Sequence, residues 1–175
     1  MTIGMRRFGS LSRGEAIDTM WKIVETAGIG MLATWDGERQ RARPVAARPR
    51  RDENAIYVLT DDAGAKDDQI RRFPTVSLAF ADTRAHTYLA LTGRAAVSND
   101  RAAIRALFDV RDRAWWESAD DPAIRLIAFS PEDAELWGGL GRLRTAASLV
   151  RAAVFGADPD FGDNIKIDGL SKTRT

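Results

Sequence analysis

The alternation of apolar and polar residues divides the chain into one long helix followed by a succession of short strands. After Ser12, apolar residues recur at helical spacing as far as a glycine suited to a C-terminal cap. Ser12 and Glu15 form the S-x-x-E pattern of a capping box. Residues 29–35 then form a mostly apolar run that ends at Asp36-Gly37, a strong hairpin signal. The pattern predicts an amphipathic helix on the core and a first strand turned back on itself.

The next part of the chain, up to residue 80, combines two predicted strands with a short helix. Residues 40–49 and 55–60 read as strands joined by a charged turn, and we expect them to pair with each other. Pro44 cannot donate to a ladder, so it predicts an edge, a bulge or a ligand at this point. A glycine-containing loop follows, and then a helix that begins near Lys66 and ends at Phe73-Pro74.

The remaining residues continue the pattern of short strands with helices between them. Strands are predicted at residues 75–81, 86–98, 124–129 and, weakly, 165–167, with residues 132–137 leading away from the sheet and helices after Asp100 and at 145–155. Gly93 interrupts the second of these strands, and Trp115-Trp116 falls in a loop. Short antiparallel strands with helices at the edges indicate a β-barrel or sandwich. We expect one domain over residues 1–175, with residues 1–11 and 157–175 as peripheral tails.

One segment superficially matches a dinucleotide-binding fingerprint. Residues 28–33 read G-x-G-x-x-A, but they follow a predicted helix and open a strand. The fingerprint requires the reverse order, a strand followed by a helix. A Rossmann site is therefore rejected.

Composition narrows the class of protein and the chemistry open to it. With 45% hydrophobic and 29% charged residues among 175, the chain has the make-up of a soluble globular protein. No apolar run approaches the roughly 20 residues of a spanning helix, and the N-terminus lacks the apolar region of a secretory signal. Cysteine is absent, which excludes disulfides, thiol nucleophiles and thiolate metal sites. The net charge of +1 gives no indication of nucleic acid, and the cytoplasm is the expected compartment.

Positive charge is concentrated in the predicted hairpin. The arginines of this region are Arg39, Arg41, Arg43, Arg48, Arg50 and Arg51. They can form a solvated strand face balanced by the aspartate pairs at 61–62 and 67–68, or an anion site, since arginine offers a fixed fork for phosphate oxygens. The residues alone favour the first interpretation for most of the six.

The loop between Thr60 and Lys66 is a second candidate for anion binding. A strand ends, small residues turn the backbone, and a helix begins beside a lysine. Free N–H groups and the positive end of the helix dipole attract phosphate at such a place. A generic strand–loop–helix with a surface lysine explains the same spacing, so both interpretations stand.

Resemblance to a known family adds to this picture. The segments MLATWDG, RARPV, IYVLTDDAGAK, QIRRFPTVSLAF, TYLALTGRAAVSND, AWW, AELW and FGDNIKIDGL occur in order along nearly the whole chain. Their order and spacing resemble the pyridoxamine 5′-phosphate oxidase-like FMN-binding split barrels, especially the bacterial general-stress-protein branch. The resemblance implies a mainly β (α+β) fold, a six-stranded antiparallel split β-barrel with flanking helices. It also implies a homodimer with FMN in each of two clefts at the subunit interface.

The resemblance further implies a set of cofactor-binding residues. By position these are Arg41, Arg43, Pro44, Val45, Thr60, Asp61, Lys66, Tyr88, Trp115 and Trp137. Lys66, assisted by Arg41, would bind the phosphate, and the strand from Arg43 to Val45 would line the ring and ribityl chain. Trp115 and Trp137 would cover the flavin from the second subunit, or act as buried interface anchors.

Three of these positions have looser expected roles. Thr60 and Asp61 would lie beside the ring or the phosphate, and Tyr88 would offer a polar contact to the flavin. His86, the only histidine, lacks the partners of a zinc site or a catalytic triad, so a structural role is expected.

The resemblance leaves three functional hypotheses. The first is an FMN-dependent oxidoreductase acting on an unassigned small substrate, with a reduced nicotinamide as donor. The second is a non-catalytic module that binds, stores or senses FMN, and the third is a split barrel that uses a deazaflavin or haem. The oxidase proper ends in a segment with arginine and histidine that grips pyridoxal phosphate. The tail SKTRT lacks it, which argues against that particular activity.

Overall fold

The computed structural model describes residues 11–138 and 163–170. Within these two ranges, three α-helices flank the sheet: α1 (Arg13–Ala27), α2 (Lys66–Arg72) and α3 (Arg101–Leu107). The strands are β1 (Ile29–Trp35), β2 (Gln40–Ala46), β3 (Arg48–Arg50), β4 (Ala55–Asp61), β5 (Thr75–Asp82), β6 (Thr87–Ser98), β7 (Ile124–Gly138) and β8 (Asp163–Ile167). Single 3-10 turns occur at Arg51–Glu53 and Val110–Ala114. The helix predicted at 145–155 and most of both predicted tails lie outside the described residues.

All strand pairs are antiparallel, and the sheet order is β2-β1-β5-β6-β7-β4-β3, with β8 paired to β7. The sheet curls so that β2, at one end, approaches β4 without pairing with it. A curled antiparallel sheet with flanking helices confirms the predicted split barrel. Among the described residues none of the helices has the length and apolar character needed to cross a bilayer.

The described residues contain eight strands and not the six expected, because the predicted run 40–49 forms two strands and the weakly predicted strand at 165–167 joins the sheet as β8. The run 40–49 breaks at Ala47, whose N–H donates to the Gly28 carbonyl at 2.8 Å. β2 pairs with β1 through the hairpin turn, and only the short β3 pairs with β4. The expected pairing of residues 40–49 with 55–60 is therefore right for β3 and wrong for β2. Pro44 lies on an edge strand, where its missing donor costs no ladder bond within the described sheet.

Helix α1 closes one side of the barrel, and its start follows the predicted capping box. The Ser12 hydroxyl accepts from the Glu15 N–H at 3.3 Å, and the Glu15 carboxylate accepts from the Ser12 N–H at 2.9 Å. Met20 and Trp21 are buried against the sheet interior with Leu78 and other strand residues. These large side chains are packing residues, and their burial stabilises the core by roughly 1.5–3 kcal/mol each.

Strand β7 is continuous across the point where the sequence suggests that the chain leaves the sheet. Pro131 cannot donate, but the ladder shifts register between Thr92 and Gly93 of β6, so the proline is accommodated at a bulge. A Cβ atom on Gly93 would lie 2.1 Å from the Ser130 carbonyl oxygen. The glycine is thus needed for close approach of the two strands. His86 lies in the turn just before β6 with φ of 52°, so it is a turn residue and not the strand residue expected.

Candidate functional site

Two adjoining cavities lie where β2 approaches β4. The first, of about 1050 Å³, is open to the surface and is lined by the β1–β2 turn, β2, the loop after β4 and α2. The second, of about 540 Å³, lies between β2, β4 and the 3-10 turn that precedes Trp115. Arg43 and Lys66 line both cavities. The two spaces therefore form one site with two cationic side chains at the junction.

Most of the sequence-predicted residues meet here. Eight line one or both cavities: Arg41, Arg43, Pro44, Val45, Thr60, Asp61, Lys66 and Trp115. Tyr88 and Trp137 do not; they face each other across the β6–β7 ladder, outside both cavities. The structure brings the eight together, while their binding roles stay a prediction.

Arg43 is held at the junction by two polar neighbours. Its Nη1 donates to the Thr34 hydroxyl at 2.9 Å, and its Nη2 donates to Gln69 Oε1 at 3.3 Å. Thr34 is 1% exposed and its own hydroxyl donates to Gln69 Oε1 at 2.6 Å. Burial, and then the charge of neighbouring Arg41, lowers the pKa of Arg43, yet arginine remains protonated. Three of its five N–H groups are thus still able to donate to a ligand.

Lys66 stands on the other side of the junction, at the first position of α2. Its Nζ donates to Asp61 Oδ1 at 2.9 Å and to the Ala63 carbonyl at 3.0 Å. The hydrogen bond from Lys66 lowers the pKa of Asp61, which keeps this carboxyl ionised at neutral pH. An ammonium has three donors, so one remains for a ligand. Gly64, in the connecting loop, adopts a φ of +112° that favours glycine.

Arg41 lines the first cavity but is tied to the β1–β2 turn. Its Nε donates to Asp36 Oδ2 at 2.7 Å, and Asp36 Oδ1 accepts from the backbone N–H groups of Arg39 and Glu38, each at 2.8 Å. These hydrogen bonds lower the pKa of Asp36 to about 2. The bond from Arg39 contributes most, followed by the bonds from Glu38 and Arg41. The turn therefore holds a negative charge beside Arg41 at neutral pH.

The wall of the second cavity depends on a buried ion pair that the sequence did not reveal. Arg48 and Asp112 form a direct hydrogen-bonded pair, with side chains 9% and 7% exposed. Arg48 also donates to the carbonyl of Leu107, and Asp112 accepts from the Asp109 N–H at 2.8 Å. The carbonyl of Asp112 in turn accepts from Trp115 N–H at 2.9 Å. The pair thus anchors the Trp115 segment to the sheet.

The expected balance of the hairpin arginines by the aspartates at 61–62 and 67–68 is wrong. The observed carboxylate partners are Glu38 for Arg39, Asp36 for Arg41, Asp112 for Arg48 and Asp18 for Arg51. Asp61 and Asp62 instead pair with Lys66 and Arg125. The hairpin is therefore not a uniform solvated face, because Arg48 is buried and Arg43 is partly buried.

Sequence reasoning also missed Thr34 and Gln69. Gln69 lies three residues after Lys66, and that spacing places both on one side of a helix. Thr34 lies 35 residues away from Gln69 in the chain, and no local pattern connects the two. No group of three or more metal-ligating side chains comes together within the described ranges.

The outer face of the sheet, beside the second cavity, is apolar and exposed. Ile29, Met31 and Tyr88 are 57%, 44% and 43% exposed, respectively. Met31 stands opposite Pro44 on β2 and Ala79 on β5, so small apolar residues surround it. Such a contiguous exposed patch is typical of a protein–protein contact.

Comparison with known proteins agrees with this architecture. A family model described as "Pyridoxamine 5'-phosphate oxidase like" matches residues 15–160. Comparison with curated proteins gave no match. Among solved structures, a candidate general stress protein 26 from Jannaschia sp. CCS1 is 22% identical, with a TM-score of 0.70 over 89% of this chain and 99% of that chain.

Two further solved structures have similar sequence identities and TM-scores to this chain. A protein from Clostridium acetobutylicum related to general stress protein 26 is 16% identical, with a TM-score of 0.68 over 90% of this chain and 96% of that one. The general stress FMN/FAD binding protein of Xanthomonas citri is 22% identical, with a TM-score of 0.66 over 74% of this chain and 92% of that one. At these identities the likeness shows a shared fold.

Proposed function

Because the chain belongs to the pyridoxamine 5′-phosphate oxidase-like family, we propose that it binds FMN in the paired cavities and acts as an FMN-dependent oxidoreductase on a small substrate. The observation that carries the proposal is the junction itself: Arg43 and Lys66 line both a polar cavity and a more apolar one. FMN has the same division, a charged phosphate joined through a ribityl chain to a flat aromatic ring.

The junction suits the phosphate. Lys66 and Arg43 together retain several N–H donors after their internal hydrogen bonds are counted. Charge-assisted hydrogen bonds to phosphate are among the strongest that side chains form. Because Thr34 and Gln69 already hold the Arg43 guanidinium, little side-chain entropy would be lost when the ligand binds.

The second cavity suits the ring. Pro44 and Val45 on β2, Leu59 on β4 and the exposed ring of Trp115 supply apolar walls, while Thr60 supplies a hydroxyl. At about 540 Å³, the cavity lies within the roughly 300–1,000 Å³ typical of small-molecule sites. Bound FMN would supply the redox chemistry, and the protein would position its ring and exclude water. No side chain is required to act as a nucleophile.

We further propose that the protein is a homodimer that pairs through the apolar outer face. Ile29 belongs to that face and also lines the second cavity. A partner seated there would narrow the opening of the cavity and cover Met31 and Tyr88. Tyr88 and Trp137 would then lie at the interface, where they could approach the partner's flavin. We expect the protein to act in the cytoplasm.

The first test is the absorption spectrum of the purified chain, with mass spectrometry of the compound released on heating. A flavin spectrum with FMN released, and a dimer by light scattering, are the expected results. Oxidation of a reduced nicotinamide by the loaded protein would separate an enzyme from a module that only stores or senses FMN. A haem or deazaflavin spectrum would show that the protein binds that cofactor and not FMN.

A substitution tests the phosphate contact. Lys66→Ala should raise the Kd for FMN about tenfold or more, because a hydrogen bond to a charged group is lost. Riboflavin, which lacks the phosphate, should bind both proteins equally. Lys22→Ala, on the exposed side of α1, is the matched control and should change neither affinity. Equal FMN affinity in the Lys66 variant would refute the phosphate assignment.

A further inference from the structure

The first cavity is much larger than a phosphate needs. At about 1050 Å³ it is roughly twice the volume of the second cavity, and it lies at the upper end of the range for sites that hold an entire small ligand. In the proposed function only the phosphate of FMN reaches the first cavity, at the edge formed by Arg43 and Lys66. The remaining space extends along α2 and the β1–β2 turn.

Helix α2 lines this space with a row of hydrogen-bond donors. Lys66, Gln69 and Arg72 recur every three residues, so each is a neighbour of the next on the helix surface, and all three line the cavity. With a rise of about 1.5 Å per residue, the row extends about 9 Å from Lys66 to Arg72. One phosphate bound at Lys66 cannot reach the far end of it.

The far donors lack acceptors of their own. Among the described residues Arg72 forms no ion pair; its guanidinium carbon lies 5.4 Å from the centre of the Phe73 ring. Gln69 uses its oxygen for Thr34 and Arg43, and within the same ranges nothing accepts from its amide nitrogen. Arg72 is exposed, so a ligand with a second anionic group would replace water at its guanidinium and accept from the Gln69 amide.

Other side chains of the cavity match the rest of a nucleotide. Glu38 and Asp68 line it as carboxylates that can accept from hydroxyl groups. Carboxylates bind ribose hydroxyls in dinucleotide sites. Phe73 also lines the cavity and offers a ring on which a base can stack. Phosphate donors, ribose acceptors and an aromatic ring therefore occur together.

We propose that the first cavity is an adenosine-phosphate subsite, in which Arg72 and Gln69 bind a phosphate beyond the one at Lys66. This inference rests on the proposed flavin site. The nucleotide has two chemical sources: the adenylate half of a flavin dinucleotide, continuous with the flavin phosphate, or a separate nucleotide such as the adenosine end of a nicotinamide donor. Both present the same groups to α2.

The test compares FMN, FAD and adenosine 5′-monophosphate (AMP) by titration of the full chain. We expect FAD to bind about tenfold more tightly than FMN, or the FMN-loaded protein to bind AMP in a saturable way. The first result identifies the covalent extension and the second a separate nucleotide. Arg72→Ala should weaken FAD or AMP binding about tenfold and leave the Kd for FMN within twofold.

The neighbouring arginine provides the control. Arg71 is exposed on the same helix but does not line the cavity, so Arg71→Ala should change none of these affinities. FAD bound no more tightly than FMN, together with no saturable AMP binding, would overturn the subsite. A chain that binds neither flavin would refute the proposed function instead, and titration with AMP alone would still decide this inference.

Discussion

The ion pair between Arg48 and Asp112 gives the sharpest prediction about what holds the site together. Both side chains are more than nine-tenths buried, and they join β3 to the turn that carries Trp115. Arg48→Met removes the positive partner and leaves a carboxylate buried beside a methionine. The Asp112 carboxylate would then keep one hydrogen bond, the one that it accepts from the Asp109 N–H at 2.8 Å.

The expected cost follows from burial. Breaking a buried pair by removing one partner destabilises proteins by about 3–5 kcal/mol, because the remaining charge is uncompensated. The hydrogen bonds from Arg48 to the carbonyls of Leu107, at 3.3 Å, and Ala46, at 3.1 Å, are lost as well. We expect the free energy of unfolding in urea to fall by at least about 3 kcal/mol.

A matched control separates burial from the loss of an arginine. Arg105 pairs with Asp120 at 2.7 Å, with side chains 60% and 66% exposed. Arg105→Met should cost less than about 1 kcal/mol, as exposed pairs do. The double variant Arg48→Met, Asp112→Leu should recover most of the loss, since an apolar pair of similar volume can replace a buried ion pair. Equal costs for the two single methionine variants would refute the reasoning.

Two further predictions concern the sheet and the turn. Gly93→Ala places a methyl group 2.1 Å from the Ser130 carbonyl oxygen, so we expect the free energy of unfolding in urea to fall by at least about 1–3 kcal/mol. Gly14→Ala is the control, because the space around Gly14 is open, and the same urea titration should show no loss of stability. Asp36 has its pKa lowered from 3.8 to about 2, chiefly by the N–H of Arg39, so its stabilising effect should be complete above pH 3.8 and lost as the pH falls through 2. The stability difference between the wild type and Asp36→Asn should therefore shrink over that interval, and a difference independent of pH would contradict the assignment.

The elements that the sequence predicted correctly are those with local signals. The capping box of α1, the Asp36-Gly37 turn and the proline after Phe73 each act within a few residues, and each ends or begins an element where expected. Alternation of buried and exposed residues likewise located β5 and β6. These signals reflect backbone geometry that neighbouring residues decide.

The parts of the site that escaped prediction depend on contacts between distant segments. Arg48 and Asp112 are 64 residues apart, and Thr34 and Gln69 are 35 apart. Nothing in the sequence around Asp112 distinguishes it from an exposed turn aspartate. Family resemblance supplied Lys66, which we propose binds phosphate, and the β2 residues, because those positions recur in a motif. It did not supply the side chains that hold them.

The change of partner strand at Ala47 places Arg48 beside β4, whereas Arg43 lies on β2. Successive side chains of a strand point to opposite faces, so an unbroken run from 40 to 49 would place Arg43 and Arg48, five residues apart, on opposite faces. Both line the second cavity. The Ala47 N–H donates to the Gly28 carbonyl in the same register as β2 and β1, and the chain then changes partner and continues as β3 beside β4. The change of partner that raised the strand count therefore also brings a second arginine into the cavity wall.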